Sequence, residues 1–210
     1  MLIPRFRRIL TCLFAVVPVL LLAACAVPSR AVLMTVPDAV APAVRANPEL
    51  AGSMAVGSVS GGQESMPLWV SKVGDPEFRE ALESSLTLNG LRATDAAAAR
   101  LVVDVELLAL EQPFVGISMT VTPRVRYRVV ERASQAEILN EELVTPYTAS
   151  FSSAFIAAER LRLANEGAIR ESIKAFLLKF VERWTARATA SSGAAPANAV
   201  PVRDSARPGS

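Results

Sequence analysis

The stretch ISMTVTPRVRYRVVER at residues 117–132 decides the fold, because it has the two-residue period of a half-buried β-strand. One set of alternate positions is apolar: Ile117, Met119, Val121, Val125, Tyr127 and Val129. The opposite set is polar: Ser118, Thr120, Thr122, Arg124, Arg126 and Arg128. Pro123 cannot donate a hydrogen bond to a neighbouring strand, so it predicts a bulge or an open edge nearby. The pattern indicates an antiparallel sheet with one packed face and one solvated face.

The segments before this strand predict a strand, a helix and another strand. Residues 54–60 and residues 101–107 both alternate apolar and polar side chains. Between them, Asp75 is the predicted N-cap of a helix, with Pro76 at its first helical position. Gly90 suits the left-handed conformation that ends many helices.

The segments after it predict one more strand and a long helix. A turn around residues 134–135 leads to a strand over residues 138–149, and helical spacing of apolar side chains extends over residues 158–186. The order β-α-β-β-β-α predicts an α+β two-layer sandwich. Its sheet is expected to be four-stranded and mostly antiparallel, with both helices on one face, in a single domain over residues 53–187.

The polar face of this sheet carries a row of arginines, Arg124, Arg126 and Arg128. Estimated strand registers put Asp104 opposite Arg124, and Glu141 opposite or close to Arg128. Cross-strand ion pairs on a solvated face therefore explain both the arginines and the acids. Contact of the arginines with an acidic partner or a lipid headgroup stays open as the alternative.

The amino terminus is typical of an export signal. Three arginines precede an apolar run over residues 9–22, which is too short to span a bilayer but has the length of a signal-peptide core. Residues 1–24 are therefore predicted to be a signal peptide. Its removal would leave 19 basic residues of 22 against all 20 acidic ones, so a general affinity for nucleic acid is not expected.

The four residues Leu22, Ala23, Ala24 and Cys25 resemble the lipobox of bacterial lipoproteins. That resemblance implies cleavage before Cys25 and fatty acids such as palmitate on it. Small residues around position 25 also fit an ordinary secretory cleavage site, which would leave a soluble periplasmic protein. In Gram-negative lipoproteins, Ala26 instead of aspartate favours the periplasmic face of the outer membrane over the inner membrane.

Two segments lack sustained periodicity. Residues 25–52 contain four prolines and are predicted to be a lipidated cysteine followed by a tether, which could extend over roughly 90 Å. Residues 188–210 are rich in Ala, Pro, Ser and Gly and are predicted to be a disordered tail.

The residue inventory argues against an enzyme. The chain has no histidine, which removes Ser-His-Asp and Cys-His catalysis and every imidazole metal site. Of the two cysteines, Cys12 leaves with the signal peptide and Cys25 is expected to carry lipid, so neither an intrachain disulfide nor a free thiol is expected. No metal or other cofactor is expected.

One patch has no evident place in the core. The sequence EQPFVGISM at residues 111–119 puts Phe114 and Val115 at the tip of a predicted hairpin. Two interpretations stay open: Phe114 folds back onto the sheet edge, or the tip contacts a membrane or a partner.

Beyond the lipobox, four stretches are similar to a family of small uncharacterised proteobacterial lipoproteins over about residues 54–184. They are VGSVSGG (56–62), WVSKVGDPEFREALESSL (69–86), LEQPFVGISMTVTPRVRYRV (110–129) and RLRLANEGAIRESIKAFLLKF (160–180). The two-layer plan also resembles the lipopolysaccharide-assembly lipoprotein and the auxiliary lipoproteins of ABC-type transporters.

Those proteins are not catalytic, so the resemblance implies an adaptor or support factor in an envelope complex. A membrane contact through the lipid and an envelope protein partner are expected. The alternative function is a lipid- or amphiphile-binding module for envelope lipid transport. An acyltransferase of the hexapeptide-repeat type is not indicated, because the repeats and a catalytic histidine are both missing from the sequence.

Overall fold

The computed structural model describes residues 29–63 and 72–193. The helices are α1 (Ala31–Met34), α2 (Ala41–Ala46), α3 (Asp75–Leu88) and α4 (Ala157–Gly193), with a 3-10 turn at Phe151–Ser153. The strands are β1 (Met54–Ser60), β2 (Leu101–Glu111), β3 (Met119–Glu131), β4 (Glu137–Val144) and β5 (Tyr147–Ala149). The predicted signal peptide, the lipobox and residues 194–210 lie outside the described residues.

The strands form one mixed sheet in the order β1-β2-β3-β4. β1 is parallel to β2, while the pairs β2–β3 and β3–β4 are antiparallel. The predicted fourth strand over residues 138–149 is divided, because the chain leaves strand geometry at Thr145 and Pro146. Both halves pair with β3, and β5 continues the register of β4. The predicted α+β sandwich is confirmed.

The β2–β3 pair contains the irregularity that Pro123 predicts. Its register shifts between Leu107 and Ala109, opposite Val125 and Arg124. Ile117, in contrast, does not join the apolar face of β3 as predicted. β3 begins two residues later, and the side chain of Ile117 is exposed in the hairpin loop.

The core lies between the apolar face of the sheet and the two long helices. The inner face of α4 is completely buried through Ile169, Ile173, Phe176, Leu177 and Phe180. The ring of Phe176 stacks on Tyr127 of β3 with a centroid distance of 4.5 Å. The Tyr127 hydroxyl and the Ser172 hydroxyl are 3.0 Å apart, so the buried phenol has a hydrogen-bond partner on the same helix.

Helix α3 starts and ends close to the predicted positions, but Asp75 does not act as N-cap. Gly74 precedes the helix, and Asp75 is its first residue. The Asp75 carboxylate accepts a hydrogen bond from the backbone N–H of Gly62 at 2.6 Å, so it holds the end of β1 instead of capping the helix. Gly90 has φ of 75°, as the predicted left-handed termination requires.

The prediction of a tether is wrong for residues 29–52. Residues 29–50, here called the N-terminal strap, pack on the domain, and the side chains of Met34 and Leu50 are completely buried. The backbone N–H of Val36 donates to Ser85 Oγ at 2.9 Å, and that of Val40 donates to Asn89 Oδ1 at 2.8 Å. The strap is ordered because distant side chains, Ser85 of α3 and Asn89 directly after it, satisfy its backbone groups.

The domain is therefore longer than predicted at both ends. It includes the strap, and α4 continues to Gly193, past the predicted boundary at residue 187. None of the helices within residues 29–63 and 72–193 combines the length and the apolar character needed to cross a bilayer.

Candidate functional site

The expected lipidation site lies just before the described chain. Cys25 and its cleavage motif are outside the described residues, and the first described residue, Ser29, lies four residues after Cys25. Ser29 is buried, and the backbone N–H of Arg30 donates to Glu166 Oε1 at 2.8 Å. The strap thus fixes the chain to α4 at Arg30, five residues after Cys25.

A buried ionic cluster on α4 provides this attachment. Arg162 Nη1 donates to Glu166 Oε1 at 2.6 Å, and Arg162 Nε donates to Glu159 Oε2 at 3.0 Å. Burial acts to lower the pKa of Arg162, but its hydrogen bond to Glu159 and the charge of Glu166 outweigh this effect and raise it. Sequence analysis missed the cluster. Its signal was the helical i, i+3 and i, i+4 spacing of these three residues.

The tip of the β2–β3 hairpin projects into solvent. The side chain of Phe114 has 103% of its reference exposure, that of Val115 has 86% and that of Ile117 has 76%. The interpretation in which Phe114 folds back onto the sheet edge is therefore wrong.

A second apolar loop lies beside this tip. Phe151, Phe155 and Ile156, between β5 and α4, are also exposed. The two loops are neighbours because Met119, which follows the tip, is paired with Ala149, which precedes the second loop.

The buried Arg160 connects the two loops. Its Nη1 donates to the carbonyl oxygens of Ala154 at 2.7 Å and Phe155 at 2.9 Å, and its Nη2 donates to the carbonyl oxygen of Gly116 at 3.4 Å. Its guanidinium also lies over the ring of Phe151, 5.1 Å from the centroid. Both loops are thus held to one side chain.

We call residues 114–117 and 151–156 together the apolar end. Among the described residues, ten large apolar side chains are exposed, and six of them belong to these two loops. Exposed apolar side chains that stand singly are ordinary, whereas a contiguous group of this kind is typical of a contact surface.

If the hairpin tip does not contribute to the core, Phe114→Ser leaves thermal stability nearly unchanged. We expect a shift in melting temperature of at most about 2 °C by circular dichroism, since surface substitutions rarely alter stability. Phe78→Ser is the matched control, because the side chain of Phe78 is 1% exposed and its loss should destabilise the fold severely. A drop of several degrees in Phe114→Ser would contradict the exposed placement.

The arginine row on the solvated face of the sheet is paired with acids. Arg124 contacts Glu142 at 3.3 Å, and Arg126 contacts Glu106 at 2.9 Å and Glu142 at 3.7 Å. Arg128 contacts Glu137 at 3.0 Å and Asp104 at 3.9 Å. The predicted cross-strand ion pairs are present. Because three arginines face four carboxylates, the row has no excess positive charge to attract an anion.

The individual pairs differ from the predicted ones. Asp104 stands opposite Arg128, not Arg124, because the hairpin loop is centred about two residues later than predicted. Glu141 stands opposite Tyr127 and contacts the helix layer, with Lys179 Nζ at 3.0 Å and Arg183 Nη2 at 2.8 Å. Hydrogen bonds from Arg183 and then Lys179 lower the pKa of Glu141.

Two clefts border the sheet. The larger, of about 330 Å³, is lined by Ala55, Val56, Glu83, Thr87, Arg92, Ala93, Thr94 and Ala96. Arg92 Nη2 and Glu83 Oε2, both in its wall, form an ion pair at 2.8 Å. The smaller, of about 100 Å³, adjoins Gly61 and Leu107. Neither cleft has a lining residue on α4. In the two described ranges, His, Cys, Asp and Glu side chains form no group of three that could hold a metal ion.

Comparison with known proteins finds likenesses among solved structures. No family model and no curated protein matches the chain. A Xanthomonas campestris protein assigned to family DUF330 superposes with a TM-score of 0.51 at 6% identity, covering 67% of this chain and 90% of its own. At this identity the likeness extends to the fold alone.

Two further solved structures resemble the chain more weakly. A candidate lipoprotein of Caulobacter crescentus has a TM-score of 0.45 at 16% identity, over 75% of this chain and 98% of its own. An uncharacterised Chlamydia trachomatis protein has a TM-score of 0.45 at 17% identity, over 62% of this chain and 98% of its own.

Proposed function

We propose that this chain is a lipoprotein held by an acylated Cys25 on the periplasmic face of the outer membrane of a Gram-negative bacterium. Its proposed role is that of a non-catalytic adaptor that supports an envelope complex. The observation that carries the proposal is the lipobox-like sequence Leu22 to Cys25, which lies only four residues before the buried Ser29.

The length of the connecting chain supports a role close to the membrane. Four residues from Cys25 to Ser29 span at most about 14 Å, compared with roughly 90 Å for the tether expected from sequence. Acyl chains contribute about 0.8 kcal/mol per buried CH₂, so two or three of them would hold the domain firmly. A partner is therefore expected at the same membrane and not across the periplasm.

The absence of catalysis is part of the proposal and has two supports. The whole chain contains no histidine. The acids of the solvated sheet face, including Asp104 and Glu106, contact arginines at 3.9 Å and 2.9 Å, so cross-strand ion pairing accounts for them without a catalytic role.

The alternative, a lipid-binding module, lacks a specific observation in its favour. The expected place for an acyl chain was the space between the sheet and the long helix. In the described structure that space is filled, since Ile173, Phe176 and Leu177 are completely buried.

Labelling with radioactive palmitate tests the anchor. We expect the native protein to incorporate label in a Gram-negative host, and Cys25→Ala to incorporate none, because the thiol of Cys25 is the proposed acceptor. Cys12→Ala is the matched control and should label normally, since Cys12 belongs to the predicted signal peptide. Label that persists in Cys25→Ala would contradict the proposal.

The adaptor role is tested in the same strains. A photocrosslinking amino acid at Glu106 or Arg126, on the exposed sheet face, should capture a defined envelope protein when Cys25 is intact. Capture should fall in Cys25→Ala, because the variant is no longer concentrated at the membrane. Equal capture by both proteins would count against a membrane-bound adaptor.

A further inference from the structure

We propose that the apolar end inserts into the interfacial region of the bilayer that holds Cys25, so that the domain docks on the membrane in one orientation. This inference rests on the proposed acylation of Cys25. It adds a second, non-covalent membrane contact, made by the folded domain itself.

The composition of the apolar end suits a lipid surface. Three phenylalanines, two isoleucines and one valine are its exposed large side chains. The sequence has no charged residue from 113 to 118 or from 150 to 157, so insertion of the two loops would not remove a charged side chain in them from water. The nearby Arg160 is 5% exposed and donates its hydrogen bonds inward to the loop carbonyls. Apolar side chains of this kind bury themselves at the boundary between headgroups and acyl chains.

The start of the strap is bound to α4 close to the base of the hairpin tip. Arg30 is bound to Glu166 through its backbone N–H. On the neighbouring residue of α4, the Asn165 Oδ1 accepts a hydrogen bond at 2.7 Å from the Nε2 of Gln112, two residues before Phe114. The base of the hairpin tip and the first residues of the strap are therefore bound to adjacent residues of α4.

From this point the strap runs away from the apolar end. The backbone N–H of Val40 donates to the side chain of Asn89. Two residues after Asn89, the carbonyl oxygen of Leu91 accepts a hydrogen bond from the backbone N–H of Met54, the first residue of β1. β1 and β2 are parallel, and both begin at this end of the sheet. The hairpin tip follows the last residue of β2 and therefore lies at the opposite end. Ser29 is thus at the end of the strap that is nearest to the apolar end.

The available chain length matches the distance to be covered. Ala157 is the first residue of α4 and adjoins the exposed loop. Glu166 lies nine residues further along the helix, which corresponds to a distance of about 14 Å along its axis. The four residues from Cys25 to Ser29 span at most about 14 Å. Acyl chains on Cys25 and the apolar end can consequently enter one bilayer while the strap stays packed.

The shape of the surface favours a bilayer over a second protein surface. Phe114, Val115 and Phe155 each have more than 80% of their reference exposure, so they protrude from the domain. Protein interfaces match the shape of a partner at the density of a protein interior. Protruding side chains need no matching cavity in a fluid lipid phase.

Site-specific fluorescence in the full acylated protein tests this orientation. Since acylation blocks the thiol of Cys25 and Cys12 is expected to be lost, an introduced cysteine is the single free thiol of the mature chain. Phe114→Cys and Phe155→Cys are labelled with the environment-sensitive dye NBD. The proteins are reconstituted into vesicles of phosphatidylethanolamine and phosphatidylglycerol, with nitroxide-labelled lipid as quencher. Leu88→Cys is the matched control, because Leu88 is also exposed but ends α3 at the opposite end of the domain.

We expect the dyes at positions 114 and 155 to shift to the blue and to be quenched several-fold more than the dye at position 88. Equal quenching at all three positions would overturn the docking proposal. A blue shift that needs no vesicles and grows with protein concentration would assign the surface to a second copy, and would also overturn it.

Mass spectrometry and flotation separate this outcome from failure of the anchor. A mature protein without diacylglycerol that does not float with vesicles would overturn the proposed acylation. A protein that is acylated and floats, with its dyes at 114 and 155 unquenched, would overturn the docking alone.

Discussion

Phe176→Ala is expected to lower the free energy of unfolding by about 3–5 kcal/mol. The side chain of Phe176 is completely buried, and its ring stacks on Tyr127 at 4.5 Å with an interplanar angle of 8°. The substitution removes the apolar area of the ring, leaves a cavity between sheet and helix, and loses the aromatic pair.

Urea unfolding of the mature chain, followed by circular dichroism, measures this effect. Leu178→Ala is the control on the same helix, since the side chain of Leu178 is 47% exposed, and it should change the free energy of unfolding by less than about 1 kcal/mol. A cost below about 1 kcal/mol for Phe176→Ala would contradict a tightly packed layer.

A purified variant without the acylated cysteine tests the alternative function. With the sheet–helix layer filled, native mass spectrometry of Cys25→Ala should show no bound lipid, since that variant also lacks the covalent acyl chains. A lipid bound in a one-to-one ratio would favour the lipid-binding module over the adaptor.

Met34→Ala is expected to cost about 2–5 kcal/mol, while Val32→Ala, two residues earlier, should be nearly neutral. Both residues are in α1, but the side chain of Met34 is completely buried and that of Val32 is 74% exposed. The comparison decides whether the strap belongs to the folded domain, because in a flexible tether neither substitution would alter stability.

Urea unfolding of the two variants, each compared with the native chain, provides the measurement. If Met34→Ala is as stable as Val32→Ala, the strap is a tether. The proposed docking of the apolar end would then lose its geometric basis, because Cys25 would no longer be held within about 14 Å of the domain.

Sequence periodicity alone was sufficient for the two largest elements. The alternation over β3 and the helical spacing from Ile169 to Phe180 each identify the buried face, and both faces are completely or nearly buried in the structure. These predictions succeed because burial of one side of a regular strand or helix imposes its period on the sequence.

The candidate site was only partly predictable. The exposed Phe114 and Val115 were identified from their place in a turn, because the backbone conformations of turns favour small and polar residues over large apolar ones. Phe155 and Ile156 were missed because they became part of the same surface only through the pairing of β5 with β3. The ion pairs of the sheet face were expected, but their partners depended on a hairpin loop whose centre the sequence leaves open.

The strap shows most clearly what tertiary structure alone decided. Residues 29–50 contain three prolines and no sustained period, so their sequence resembles a linker. They are ordered by contacts with Ser85, Asn89 and Glu166, which are 49 to 136 residues away in the chain. Local sequence patterns record which face of a regular element is buried, whereas a segment without regular structure becomes ordered only when distant groups satisfy its backbone and cover its apolar side chains.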